Sequence, residues 1–360
     1  MKITSNIVRL GSITFAAARA RGFIAAMSLV GLAAFSSTTA SAGSVSGSDT
    51  WAADYGLLAL PTGTAVFVEY AGYQHGANFI DTTGTSQGGS ANIYTNILRG
   101  AYLTNFLGHP LALEAALPYA SVQNASITNG VAPIIAPGAQ TSGSGFFSPV
   151  LFIDYGLIVD NKADRLLAVT NYVYLPAGAY NNTVTINPGT AHQTVWVPQI
   201  GYSEGLGKFG LPKGIWFDLI ANMSFHSNGT ETPAVNPLNP ALNYANVSQA
   251  NSYDIQGFLR YETGPLGHIA IGIEKSWGGL QTLSGGTLGA LVGPFNTSAD
   301  NYTRAHLQIT KAVMPDLQLG IDLKHDFQTV GGYKEDFGVE FRLVKLFVNT
   351  PPPKPNMYTK

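Results

Sequence analysis

Lys334–Phe347 reads KEDFGVEFRLVKLF. Taken at alternate positions, Phe337, Val339, Phe341, Leu343 and Phe347 share one face, interrupted only by Lys345. Gly338, Glu340, Arg342, Val344 and Leu346 share the other. Successive strand side chains point to opposite sides, so this is a strand with one apolar and one charged face. A soluble sheet also produces that pattern. The closing aromatic and similar runs upstream favour a strand whose apolar face meets lipid and whose polar face meets a lumen. An open sheet edge is not tolerated in hydrocarbon, so this last strand is expected to pair back with the first.

Working upstream, strand-like runs recur at Leu317–Phe327, Thr303–Val313, His268–Trp277, Ser252–Glu262, Ile215–Phe225 and Thr194–Glu204. Before these come Leu166–Leu175, Phe147–Val159, Leu111–Gln123, Asn92–Asn105 and Thr64–His75. The C-terminal runs alternate cleanly: Leu317, Leu319, Ile321 and Leu323 oppose Gln318, Gly320, Asp322 and Lys324. Leu166–Leu175 and Thr194–Glu204 read in either phase, and Pro198 inside a strand suggests a bulge or local distortion. Connections exchange long for short. Gly76–Ala91, Asn124–Gly145, Pro176–Gln193, His226–Asn251 and Gly278–Tyr302 are long and polar. Leu107–Pro110, Asp160–Arg165, Gly205–Gly214, Thr263–Gly267 and Met314–Asp316 are short. Long external loops and tight periplasmic turns give this alternation in outer-membrane barrels. The last connection, near Gln328–Glu335, should be external yet is short. The expected fold is all-β: a transmembrane antiparallel up-and-down β-barrel of about 12 strands over residues 64–347.

The flanks fit a secreted chain. Lys2, Arg9, Arg19 and Arg21 precede the apolar run Gly22–Phe35, and Ala40-Ser41-Ala42 supplies a small-residue cleavage pattern. Residues 1–42 are therefore expected to be a cleaved signal peptide. The apolar run is shorter than the roughly 20 residues a spanning helix needs. Residues 43–63 read as a periplasmic lead-in, and 348–360, rich in Pro351, Pro352, Pro353 and Pro355, as an extended periplasmic tail. Charged residues are only 11% of the chain, which fits a body whose outside is lipid. The chain has no cysteine, which excludes disulfides, cysteine-ligated zinc and cysteine catalysis.

No catalytic, metal or cofactor motif stands out. Gly205-Leu-Gly207-Lys-Phe-Gly210 matches a dinucleotide fingerprint, but Pro212 and a strand follow where a helix is needed. It reads as a glycine-rich turn. An outer-membrane lipase-like enzyme would need a Ser–His pair on the lipid side, and His325 has no convincing serine partner. The informative set is the ionisable residues placed on the lumen face. These candidate permeation residues are Glu69, Arg99, Glu114, Asp154, Asp218, Asp254, Arg260, Glu274, Arg304, His306, Asp322, Lys324, Glu340 and Arg342, with Glu262 and Asp326 beside them. Trp216 and Phe258, with Phe67 and Tyr73, fall on the same face and mark either an apolar path or a plug. Charges inside a narrow barrel must be wet or paired. They either brace the wall or line a path whose charge tunes selectivity.

Four stretches carry a family resemblance: LPTGTAVFVEYAGYQHG (Leu60–Gly76), YLPAGAYN (Tyr174–Asn181), VWVPQIGYSEGLG (Val195–Gly207) and the closing GVEFRLVKLF. In that order the chain resembles the outer-membrane transporter family of the meta-pathway of phenol degradation, SphA-like proteins included. The resemblance implies a bacterial outer-membrane channel for small hydrophobic or aromatic compounds, not an enzyme. It carries over no catalytic residues. The partners expected are membrane lipids, the solute and the barrel assembly machinery, with no nucleic acid and no cofactor. The alternatives are a lipase-like barrel enzyme and a filled structural or adhesive barrel.

Overall fold

A computed structural model describes residues 50–129, 139–178, 193–231, 245–264, 266–285, 295–298 and 300–348. The expected signal peptide and most of the Pro-rich tail lie outside these residues. Twelve long antiparallel strands form the wall. They are β1 Ala65–Ile80, β2 Ser90–Phe106, β3 His109–Ile127, β4 Val150–Asp160, β5 Arg165–Tyr174 and β6 Val195–Gly205. There follow β7 Ile215–His226, β8 Ser252–Gly264, β9 Gly267–Gly278, β10 Asn301–Met314, β11 Leu317–Val330 and β12 Gly332–Phe347. Each pairs with its neighbours in sequence, and β12 closes on β1 from Ala65↔Phe347 to His75↔Phe337. The closing strand thus pairs with the first, as backbone satisfaction in lipid requires.

Apolar side chains point outward all round: Leu113, Leu117, Leu151, Ile153, Ile200, Leu259, Ile271, Leu307, Ile309, Leu319, Leu323 and Phe341 are all exposed on the bare barrel. This band is the lipid-facing surface of an outer-membrane barrel. Stacked pairs edge it toward the long-loop end, Trp196 on Phe225 and Tyr253 on Trp277, their centroids 5.0 and 5.6 Å apart. Toward the other end Phe106 meets Tyr155 edge-on. Lys345, which interrupts the apolar face of the last strand, pairs with Asp316, and the buried Lys275 donates to Asn301 Oδ1 at 2.7 Å.

At one end the hairpins are tight. Leu107 (φ 50°) and Gly108 (φ 83°) both take positive φ between β2 and β3, the conformation a two-residue turn needs to match strand twist. At the other end the expected long loops are partly sheet. Residues 139–146 pair with the upper part of β3. Gly229–Glu231, Ala245–Gln249, Gln281–Ser284 and Phe295–Ser298 form a separate four-stranded sheet. The short final connection is a one-residue turn at Gly331 (φ 84°). Pro198 makes no bulge. Its ladder to β5 is continuous, and toward β7 the pairing skips Val197–Pro198 and resumes in the same register at Gln199↔Asn222. The missing proline N–H is absorbed as a gap in one ladder.

The lead-in departs from expectation. Thr50–Leu60, assigned above to the periplasm, lies inside the barrel, with a 3₁₀ turn over Asp54–Ala59. Trp51, Ala52, Tyr55 and Leu58 are buried against Val66, Val68, Leu103, Leu166, Ile220 and Leu346 of the inner wall. Eight of its eleven residues are apolar and gain from leaving water, and the lumen is the enclosed surface within reach. It is a plug, and it belongs to no strand.

Candidate permeation site in the lumen

Alternation along the strands decides which side chains meet the lumen. In β8 Ser252, Asp254, Gln256, Phe258 and Arg260 are buried while Tyr253, Leu259 and Tyr261 are exposed. The same reading brings Arg99, Glu114, Asp154, Asp218, Glu274, His306, Asp322, Lys324 and Arg342 to the inside, all buried, with Trp216, Arg304 and Glu340 on the same side. Glu69 is a correction. It alternates with buried Val68 and Tyr70 and so faces outward, where its Oε1 accepts from Asn96 Nδ2 at 3.0 Å. Phe67 and Tyr73 share its outward phase. A one-residue slip in phase inverts the face of a whole strand, and β1 has few charges to set it.

Many of the inward charges gather around four arginines. Arg99 donates Nε to Glu114 Oε2 at 2.6 Å and Nη1 to Asp54 Oδ2 at 2.8 Å, with Asp154 at 3.9 Å. Arg342 donates Nη2 to the other oxygen of Asp54 at 2.6 Å. Arg260 donates to Asp218 and Glu262, both at 2.7 Å, and lies over the Trp216 ring at 4.5 Å. Arg304 donates to Asp326 at 2.8 Å and Glu335 at 2.9 Å. Forked guanidinium groups suit this repeated pairing, and pairing is what makes buried charge tolerable.

His306 is bracketed by two carboxylates, Asp322 Oδ2 at 3.0 Å from Nδ1 and Glu274 Oε2 at 3.1 Å from Nε2. The Phe258 ring packs edge-on against His306 and fills the space a side chain at Gly272 would need. Phe258 is therefore wall packing at this level. Among the described residues no His, Asp and Glu group is arranged to hold a metal.

The plug is tied to these clusters. Asp54 bridges Arg99 and Arg342, and Trp51 Nε1 donates to Glu340 Oε1 at 2.6 Å. The Ala52 N–H donates to Gln308 Oε1 at 2.9 Å, and the Tyr55 hydroxyl accepts from Gln199 Nε2 at 2.7 Å. Inward glycines make room for its rings. A Cβ at Gly201 would overlap the Tyr55 ring, and one at Gly320 would come within 2.8 Å of Trp51. These glycines, with the Trp51–Leu60 run WAADYGLLAL, are the sequence signal that the plug left behind.

On β4, β5 and β6 the inner face is different. Val150, Phe152, Tyr172, Tyr174, Val195 and Val197 point inward and form one apolar cluster. Phe152 stacks on Tyr172 with centroids 4.7 Å apart. This bed lies above Asp154 and Thr170, on the long-loop side of the plug. It was not among the residues singled out from sequence. Charge marks a lumen face, and apolar residues on both faces of a strand leave no such mark.

The wall matches known barrels. The outer-membrane channel from Pseudomonas putida F1 is 21% identical, with 84% of this chain and 100% of that chain covered at a TM-score of 0.65. The TodX monoaromatic hydrocarbon channel, as a deletion mutant, is 9% identical over 81% of this chain and 90% of that one, TM-score 0.40. The transport unit of the autotransporter AIDA-I from Escherichia coli is 10% identical over 80% and 91%, TM-score 0.46. No curated protein matches the chain. The family model for the MetA-pathway of phenol degradation matches residues 71–343. That span runs from β1 to the middle of β12, so this chain, an outer-membrane β-barrel, belongs to the MetA-pathway of phenol degradation family.

Proposed function

We propose that the protein is an outer-membrane channel that admits small hydrophobic or aromatic compounds. The observation that carries this is the inward apolar bed of Val150, Phe152, Tyr172, Tyr174, Val195 and Val197, which lies beside the clusters of buried charge. Such a surface offers little to an anion, whereas an apolar ring gains by leaving water. The family description points to the same solute class, and the P. putida F1 relative is itself named a channel. Passage requires the plug to shift. Side-chain hydrogen bonds and the Asp54 ion pairs hold it, and it contributes nothing to the sheet ladders.

The test is entry of a small aromatic alcohol into vesicles containing the purified protein, with a disaccharide as the polar comparison. Aromatic entry should exceed that into empty vesicles. Phe152→Asp with Tyr172→Asp should slow aromatic entry more than disaccharide entry. Entry no faster than into empty vesicles, for wild type and for a variant lacking residues 50–60, would sink the channel reading and leave a filled structural barrel.

A further inference from the structure

One acid breaks the apolar band on the outside of the barrel. Glu69 points outward on β1, four residues from Ala65, which pairs with Tyr102 and Phe347 at the tight-turn edge of the band. It lies six residues from His75, which pairs with Phe337 toward the long-loop edge. At about 3.3 Å per residue and a tilt near 40°, Glu69 stands about 10 Å inside one edge and about 15 Å inside the other. That is the depth of hydrocarbon. Among the described residues no other acid faces outward between these edges. Elsewhere the band shows Leu259, Ile271, Leu307 and Leu319.

Within the wall the acid is only half provided for. Its Oε1 accepts from Asn96 Nδ2 at 3.0 Å, and that nitrogen gives its other proton to the main-chain oxygen of Tyr70 at 3.2 Å. Its Oε2 has no partner among the described residues. Lys345, the outward cation of the adjoining strand, stands opposite Phe67 and pairs with Asp316 instead. The side chains around the acid are small. Ala71 is exposed opposite Asn96, and Gly100 is exposed opposite Ala115. A side chain at Gly100 would meet nothing within 4 Å. These positions make a shallow floor on β1 to β3. A carboxyl group facing acyl chains is expensive, and ionisable residues at membrane depth are found against protein or water.

The patch complements itself. It holds an acceptor in need of a proton, Glu69 Oε2, beside an amide that spends one of its two protons on the longer contact with a main-chain oxygen. Two copies of a barrel share one orientation in a membrane. A two-fold axis along the membrane normal therefore sets the same patch of each face to face at one depth, and every contact is made twice. We propose that the outward face of β1 and β2 is an interface between two copies of this chain, in which each copy's Asn96 donates to the other's Glu69. The acid then lies between two protein walls and out of lipid. Ala71 and Gly100 let the strands approach closely, as small residues do where membrane segments pack. The lumen takes no part, so the interface stands apart from the channel reading.

The experiment is photo-crosslinking of the full chain, both in outer membranes and in vesicles of the purified protein. Benzoylphenylalanine replaces one exposed aromatic at a time: Phe67 or Tyr94 beside the patch, or Tyr261 on the far wall. The first two should give an adduct of twice the chain's mass in both settings, and the third should not. Glu69→Leu combined with Asn96→Leu removes the polar pair and should lower that adduct by about fivefold or more. Gly100→Trp raises the floor and should lower it as well. Heat-dependent gel mobility verifies that each variant is folded. No adduct from either position beside the patch, or as much from Tyr261 as from them, overturns the proposal. An adduct that survives both the double leucine variant and Gly100→Trp overturns it too. So does an adduct that forms only in outer membranes and has another mass, which would assign the face to a different protein.

Discussion

Two walls of this barrel look alike from the lipid and opposite from the lumen. Strands β8 to β12 turn Asp254, Arg260, Glu274, Arg304, His306, Asp322, Lys324 and Arg342 inward. Strands β4 to β6 turn Val150, Phe152, Tyr172, Tyr174, Val195 and Val197 inward, with Asp154, Thr170 and Gln199 below them. Outside, both carry Ile and Leu. The charged wall anchors much of the plug, through Gln256, Gln308, Glu340 and Arg342. The apolar wall receives the Tyr55 ring and offers the surface above it. The difference teaches that a lumen can divide its tasks by sector. One side holds buried charge in pairs, and the other packs apolar rings and valines.

The strongest way to break that division is at Arg99, which joins the plug to the acids between the walls. Arg99→Ala leaves Glu114 and Asp154 without their shared cation and takes one of two partners from Asp54. Removing one member of a buried ion pair costs about 3–5 kcal/mol. A reversible urea titration in lipid should show the loss, and an unchanged midpoint would mean the cluster is effectively solvated.

Next comes the outer face, where the walls should behave the same. Leu323→Arg in the charged wall and Ile153→Arg in the apolar wall both place a cation in lipid, at about 2–4 kcal/mol near the bilayer midplane. Similar losses would support the common outer face. A harmless Ile153→Arg would show that the phase assigned to β4 is inverted.

The inward glycines separate the walls more finely. Gly201→Ala drives a methyl into the Tyr55 ring, and overpacking of this kind costs about 1–3 kcal/mol. Gly320→Ala meets the edge of Trp51 at 2.8 Å and should cost less. Both should loosen the plug, seen as faster modification of a cysteine placed at Ala53. No change in that rate for either variant would argue that the plug does not rest on these glycines.

The smallest effect lies outside both walls. Asp81, beyond the end of β1, accepts from the Thr83 and Thr85 amides and from the Thr83 and Gln87 side chains. Partial burial raises its pKa, and the hydrogen bonds from Thr83, Thr85 and Gln87 outweigh that, holding it below the usual carboxylate value of 3.8. A depressed folded pKa means the contribution is complete above the unfolded value and is lost as pH falls through the folded one. The Thr83 and Thr85 amide resonances should therefore stay fixed down to the ordinary carboxylate range and move only below it. Movement at higher pH would contradict this turn.

Much of the architecture was legible in the chain itself. Period-two alternation in Leu317–Phe327 and Lys334–Phe347, together with long and short connections in turn, specified a barrel and its outer face. Lipid on one side and charge on the other leave a pattern that each strand carries alone. Three things needed the folded molecule. The phase of Leu166–Leu175 and Thr194–Glu204 was ambiguous because both of their faces are largely apolar, and pairing with β4 and β7 settles it. Glu69 was placed inside because β1 offers little charge to set its register, and the Ala65↔Phe347 ladder turns it out. The plug was out of reach because no local period encodes it. Asp54 is an ordinary aspartate in the chain, and it becomes a tether only where closure brings Arg99 and Arg342 to within 2.8 Å of its two oxygens.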